Sequence, residues 1–349
     1  MFLEVGLRLS DVRVEQARRS TVFEPGYGTV RRDSWMFGFS TPPGVTEVNV
    51  HGQRVRLPKP AGETRMLFVG DSGTEGVLIG PEQTFPQVYA QRVARPGLVA
   101  INAGVFGMTT LDELHFFRTR LRALDPDWVV LGLFMSNDIN FNLGHIAHEH
   151  SLRSRVPAWN WLVSHSALVH MLSAQWLIRT GAPLMGAEPT RGPGSVGSLV
   201  DPNGLHMLSY PLGEIATYVK RPSPLMDRAF AVLHTALAQF QALAEEDGFR
   251  FAVLIIPSPS AVAGRLRLLH YPHIYEQLQA AGIPLSEVDL DTGLPTRRVL
   301  RICDGLGITC VDPTRRFAAM GQGVFFPTDE HPTALGHAIL AEALAEGLH

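Results

Sequence analysis

From Arg65 onward the sequence alternates short apolar runs with longer stretches of helical spacing, and that alternation constrains the chain more than any other feature. A strand that is apolar throughout must be buried on both faces, which is the condition of a parallel sheet covered by crossover helices. The runs lie at 66–70, 98–102, 128–134, 251–256 and 308–311, giving five candidate strands and an α/β fold. Among the connections, Leu225, Ala229, Val232, Leu233, Ala236, Phe240 and Leu243 recur at three- and four-residue spacing. That spacing predicts one helix with a single buried face, which Asp247 and Gly248 bring to an end.

The chain has 349 residues, room for two domains of common size or one large α/β domain with insertions. Residues 1–62 read as an N-terminal extension, with Pro42-Pro43 and an alternating segment at 48–57 that should form a hairpin turning at Gly52. Residues 63–349 read as the main domain. Its third and fourth strands are separated by far more chain than a crossover needs, so a helical cap insertion is expected at about 141–222. The insertion holds Trp159, Trp161 and Trp176, read first as cap packing and second as an acyl-chain groove, and then a Gly/Pro-rich loop at 186–204.

Composition narrows the partners. Lys and Arg number 30 against 33 Asp and Glu, a formal charge of −3, so no nucleic-acid partner is expected. Segment 156–178 lacks Asp, Glu, Lys and Arg, but Asn160, His165, His170, Ser173 and Gln175 interrupt it, and it reads as a buried or interface-lying helix. The first residues have neither the basic region nor the apolar run of a signal peptide, so the chain as given is expected to be cytoplasmic. Cys303 and Cys310 are too few for a disulfide framework or a four-cysteine zinc site, and their pairing with each other stays open.

The strongest chemical signal is Gly70-Asp71-Ser72-Gly73-Thr74-Glu75-Gly76, where the first apolar run breaks into small and polar residues before a helix. Ligands of open α/β sheets bind beyond the carboxyl ends of the strands, which is where this places Ser72. The glycine spacing is not that of a dinucleotide or phosphate loop, and no acidic residue closes the second strand. A serine hydroxyl needs a base, and the base needs an orienting acid. Asp329 and His331 supply both, two residues apart in a segment that Pro332 biases toward extended backbone, so that their side chains point the same way. Thr333 can cap the helix that follows, while His337 within that helix and Glu330 on the opposite side are weaker candidates. Acyl transfer also needs hydrogen-bond donors for the developing oxyanion. The N–H of Gly104 and the side chain of Asn137, each at a strand end adjacent to Ser72, are the candidates.

Taken together and in order, Gly70-Asp71-Ser72, the Gly104 segment, Asn137-Asp138 and Asp329-x-His331 resemble the four blocks of the SGNH (GDSL-type) hydrolases, over about residues 64–349. The resemblance implies a flavodoxin-like three-layer sandwich with strand order 2-1-3-4-5. It implies Ser72 as nucleophile, His331 as base, Asp329 as its orienter, and an oxyanion hole from the N–H groups of Ser72 and Gly104 and the side chain of Asn137. Asp71 and Asp138 would support these. The implied activity is hydrolysis of a small-molecule or glycan carboxylic ester without cofactor or metal. The two-residue Asp–His spacing is similar to bacterial members near the polysaccharide O-acetyltransferases, so an O-acyltransferase is the first alternative, and a non-catalytic binding domain on the same fold the second. In those relatives the domain commonly follows a membrane anchor. Residues 1–62 look like the part that joins the two, which would place the protein near a membrane and outside the cytoplasm.

Two weaker signals remain. His145, His148, Glu149 and His150 lack the spacing of a zinc helix and read as a solvated entrance to the cap. Ser258 and Ser260, between prolines after the fourth run, read as a rigid turn beside the pocket.

Overall fold

The computed structural model describes residues 53–142, 212–222, 224–269 and 289–348, four short strands before residue 53, and the single positions Val169 and Glu276. The expected cap, with its three tryptophans and the histidine cluster at 145–150, lies outside the described residues except for its two ends and Val169.

Near the N-terminus β1 (Val14–Gln16), β2 (Arg19–Glu24) and β3 (Gly28–Arg32) form an antiparallel sheet. Strands β4 (Val45–Glu47) and β5 (Arg54–Arg56) pair antiparallel, with Thr46 opposite Val55. The main sheet has five parallel strands, β6 (Thr64–Gly70), β7 (Leu98–Gly104), β8 (Trp128–Phe134), β9 (Arg250–Ile256) and β10 (Thr309–Val311), in the order β10-β9-β8-β6-β7. Counted within the sheet alone this is 2-1-3-4-5. All five apolar runs are strands.

The helices are α1 (Ser72–Glu75), α2 (Phe85–Val93), α3 (Thr110–Phe116), α4 (Leu212–Tyr218), α5 (Pro224–Asp247), α6 (Pro259–Ala263), α7 (Leu294–Gly305), α8 (Thr314–Met320) and α9 (Ala334–Gly347). The period of two along each strand sorts side chains onto two cores. Leu67, Val69, Ile101, Val129, Leu131 and Val253 join the helices α3, α5 and α7 on one face. Met66, Phe68, Val130, Leu254 and Ile256 join α2, α8 and α9 on the other. Helix α5 ends at Gly248, which takes φ +79° as a helix stop requires.

The last part of the expected insertion, and the last part of the expected extension, contribute to this packing. Ile215, Ala216, Tyr218, Val219 and Val55 are buried in the first core. Gln53 pairs with the edge strand β7 by donating to the Ala100 carbonyl at 2.6 Å and accepting from Asn102 N–H at 3.1 Å. Among the described residues no helix is long and apolar enough to cross a membrane.

Candidate active site

Three glycines build the platform on which the site stands. Parallel register sets Gly70 of β6 opposite Gly104 of β7 and opposite Gly132 of β8, so three strand ends present bare backbone at one level. Helix α1 sits directly on that surface. A methyl group at Gly70 or at Gly132 would fall 2.1 or 2.2 Å from Thr74 Oγ1, and one at Gly104 2.2 Å from the Glu75 nitrogen. These glycines serve close approach of a helix to a sheet, and they press Ser72, the first residue of α1, against the sheet's carboxyl edge.

Asp71 caps α1, its Oδ1 accepting from Gly73 N–H at 2.9 Å. The Ser72 N–H, at the free end of the helix, meets no acceptor among the described residues. Its hydroxyl lies 2.8 Å from His331 Nε2, a contact between residues 259 apart in the chain. His331 Nδ1 is 2.5 Å from Asp329 Oδ1. That same oxygen also accepts the backbone N–H of His331 at 2.8 Å. The two residues therefore share a side through a turn in which the Asp carboxylate holds the backbone two residues on, rather than through extended backbone. Phe326 N–H to His331 O and Thr333 N–H to Val324 O close the loop that carries them. The ring of Phe134, at the end of β8, packs 5.3 Å from the imidazole. With Nδ1 donating to a carboxylate, Nε2 carries the lone pair that faces Ser72.

Asn137 follows β8 and donates from Nδ2 to Asp71 Oδ2 at 3.0 Å, while its own Oδ1 is buried without a partner among the described residues. Gly104 departs from expectation. Its N–H is engaged by Asn102 Oδ1 at 3.0 Å, so it is not a free donor here, and its lack of a side chain answers to the packing of α1. Asn102, two residues before, is the one local signal of this, and its amide nitrogen also reaches the carbonyls of Thr74 and Glu75.

Beneath these groups lies a set of buried carboxyls that no Lys or Arg among the described residues pairs with. Asp71, Glu113 and Asp138 are fully buried. Asp138 Oδ2 accepts Phe134 N–H at 2.7 Å, but its Oδ1 and both oxygens of Glu113 have no hydrogen-bond partner among the described residues. Burial, and then the charge of Asp71, push both Asp138 and Glu113 well above the usual carboxyl range. Burial also raises Asp71, against the pull of its hydrogen bonds from Asn137 and Gly73. Asp138 was legible as part of a motif. Glu113, on α3, carried no sequence signal and is identified only by where the fold puts it.

The weaker candidates resolve into structure. His337 is buried and its Nδ1 accepts the Phe85 N–H at 3.0 Å, capping α2 from the other end of the chain. Burial pushes its pKa down to about 3, so it stays neutral. Glu330 is buried, Thr333 caps α9 as expected, Ser258 caps α6 and Ser260 accepts Arg267 N–H. Cys303 and Cys310 are not bonded to each other. Among the described residues no group of three His, Cys, Asp or Glu could hold a metal ion.

No family model and no curated protein matches this sequence. Matching solved structures include the acetyl xylan esterase AlAXEase, 11% identical over 82% of this chain and 100% of its own. TesA matches at 14% identity over 82% of this chain and 98% of its own. A lipolytic G-D-S-L protein from Veillonella parvula DSM 2008 matches at 10% over the same shares. Each has a TM-score of 0.41.

Proposed function

We propose that this chain is a serine-dependent hydrolase of carboxylic esters of the SGNH type. The observation that carries the reading is the continuous hydrogen-bonded line from Ser72 Oγ through the imidazole of His331 to Asp329. His331 Nε2 takes the hydroxyl proton as Ser72 Oγ attacks the acyl carbon, and Asp329 stabilises the imidazolium that results. The Ser72 N–H and the second amide proton of Asn137 are the donors for the oxyanion, with Gly104 left out of that role. Collapse of the tetrahedral intermediate expels the alkoxide, which takes the proton from His331 and leaves as the alcohol. Water, deprotonated by the same imidazole, then attacks the acyl-enzyme; the acid leaves and Ser72 recovers its proton. The line needs no cofactor. An acyl or acetyl ester on a small molecule or glycan is the substrate class we favour, and Asp71 and Asp138 support the site from below.

Intact-mass analysis after incubation with an activated acetyl ester tests the reading. Wild type should gain one acetyl group and Ser72→Ala none; equal behaviour of the two would reject Ser72 as nucleophile and favour a binding domain. Adding a carbohydrate acceptor to labelled acyl-enzyme separates the two chemistries, because a hydrolase releases free acetate and a transferase moves the label to the sugar.

A further inference from the structure

An open groove of about 520 Å³ runs between α5 and α7, two of the helices that cover the first core, and none of its lining residues belongs to the catalytic set. Each helix gives it one stripe at a spacing of three and four residues: Asp227, Phe230 and His234 from α5, and Arg298, Arg301 and Ile302 from α7. Arg298 is held from two sides. Its guanidinium lies over the ring of Phe230, 3.8 Å from the centroid, and its Nη2 donates to Asp227 Oδ1 at 2.8 Å. A guanidinium stacked on an aromatic face and fixed at one edge keeps its plane, so its remaining N–H groups can meet a ligand with little further loss of freedom. Arg301, one turn on, is exposed and pairs with no carboxylate among the described residues; its Nε makes a long contact of 3.4 Å to the Arg297 carbonyl. Arg297 itself is spoken for by Asp291. His234 stands exposed on the facing wall, one turn past Phe230. Within the lining, two guanidiniums are thus set against one carboxylate, which leaves a positive charge unbalanced. The end of the groove is open, since a methyl group at Gly305 would meet nothing within 4 Å.

We infer that this groove binds a phosphate monoester, with Arg298 and Arg301 on the phosphoryl oxygens and His234 as a third donor from the opposite wall. Three donor groups on two walls suit the three terminal oxygens of such an ester better than the two of a carboxylate, and forked guanidiniums match phosphate geometry. The volume lies in the range of small-molecule sites and leaves room for the organic part of the ester. The site stands whether or not Ser72 is the nucleophile.

Titration calorimetry of the full chain with inorganic phosphate and with glucose 1-phosphate, at fixed ionic strength, tests it. Wild type should bind both saturably, with a Kd on the order of 1 mM for inorganic phosphate, and should not bind acetate. Arg301→Ala should weaken the affinity about tenfold, the scale of one charge-assisted hydrogen bond. Gly305→Asp should weaken it at least as much by setting a carboxylate in the open end, where the added side chain meets no neighbour. Both positions are exposed, so the denaturation midpoints should stay at the wild-type value. Flotation with phosphatidylcholine vesicles containing phosphatidic acid identifies the source: capture that Arg301→Ala abolishes makes the ligand a lipid headgroup, and tighter binding of glucose 1-phosphate without capture makes it a soluble ester, either of which supports the site. No saturable binding of phosphate by wild type, equal binding of acetate, or phosphate binding indifferent to both Arg301→Ala and Gly305→Asp would overturn the inference.

Discussion

The two ends of the parallel sheet bury charge in opposite ways. Near the amino ends of the strands the Arg65 guanidinium is wholly enclosed, and the fold supplies it with Glu63 Oε1 at 2.6 Å and the carbonyls of Leu124 and Arg56 at 2.5 Å each. Its backbone N–H goes to Asp127, which also pairs with Lys59. At the carboxyl ends, Asp71, Glu113 and Asp138 are equally enclosed, yet among the described residues no Lys or Arg pairs with them. A buried ion with partners is tolerable, whereas one without them shifts toward its neutral form. The comparison separates burial that serves stability from burial accepted for the sake of a site.

The contrast breaks most sharply at the nucleophile. Ser72→Ala should lower turnover of an activated ester by about 10⁶ while the denaturation midpoint stays within the scatter of surface substitutions. Asp329→Asn should lower kcat by about 10⁴ by favouring the wrong imidazole tautomer, again with little change in stability. A comparable loss of stability in either variant would erase the distinction between the two ends. At the other end Arg65→Met should cost about 3–5 kcal/mol in chemical denaturation, since it strands Glu63 and two carbonyls, and should leave kcat of the folded fraction intact.

Gly132→Ala sits between the two behaviours. Its new methyl would meet Thr74 Oγ1 at 2.2 Å, so a stability loss of about 1–3 kcal/mol should come with reduced turnover as α1 is displaced. Gly132→Ala/Thr74→Ala should recover most of both, because the next contact from that position, a tight one at 3.3 Å, is to the terminal methyl of Ile256, which need give only a few tenths of an ångström.

The smallest effect concerns pH. Burial and then the charges of Asp71 and Asp112 raise the Glu113 carboxyl, so folding holds its proton more tightly than the unfolded chain does. Its contribution is complete below the ordinary carboxyl range and is lost as pH rises through the raised value, at up to about 1.4 kcal/mol per pH unit. Glu113→Gln should flatten that decline in denaturation curves collected from the ordinary carboxyl range upward. An unaltered slope would show that Glu113 is not the group responsible. His337 acts from the other side: lowered to about 3, it contributes fully above the ordinary imidazole range and loses that contribution as pH falls toward 3.

Local pattern carried a large part of this. The five strands, the long helix ending at Gly248 and the cap at Thr333 follow from periodicity and turn chemistry, whereas the meeting of Ser72 with His331, 259 residues on, was implied by the resemblance of the ordered blocks and not by local pattern. Gly104 was read for its N–H alone; a glycine at a strand tip looks alike whether it offers an N–H or makes room for a helix, and the packing of Glu75 against it, which only the fold brings about, could not be read from the strand itself.

What the sequence determined by itself is therefore the order of elements and the kinds of group at the strand ends, since both are written in residues close along the chain. Tertiary structure alone decided that three glycines form one platform, that Arg65 is enclosed with partners and Glu113 without, that His337 caps a helix, and that Asp71 grips Asn137. Each of those depends on which distant segments come to share a few ångströms of space, and no short stretch of sequence contains that information.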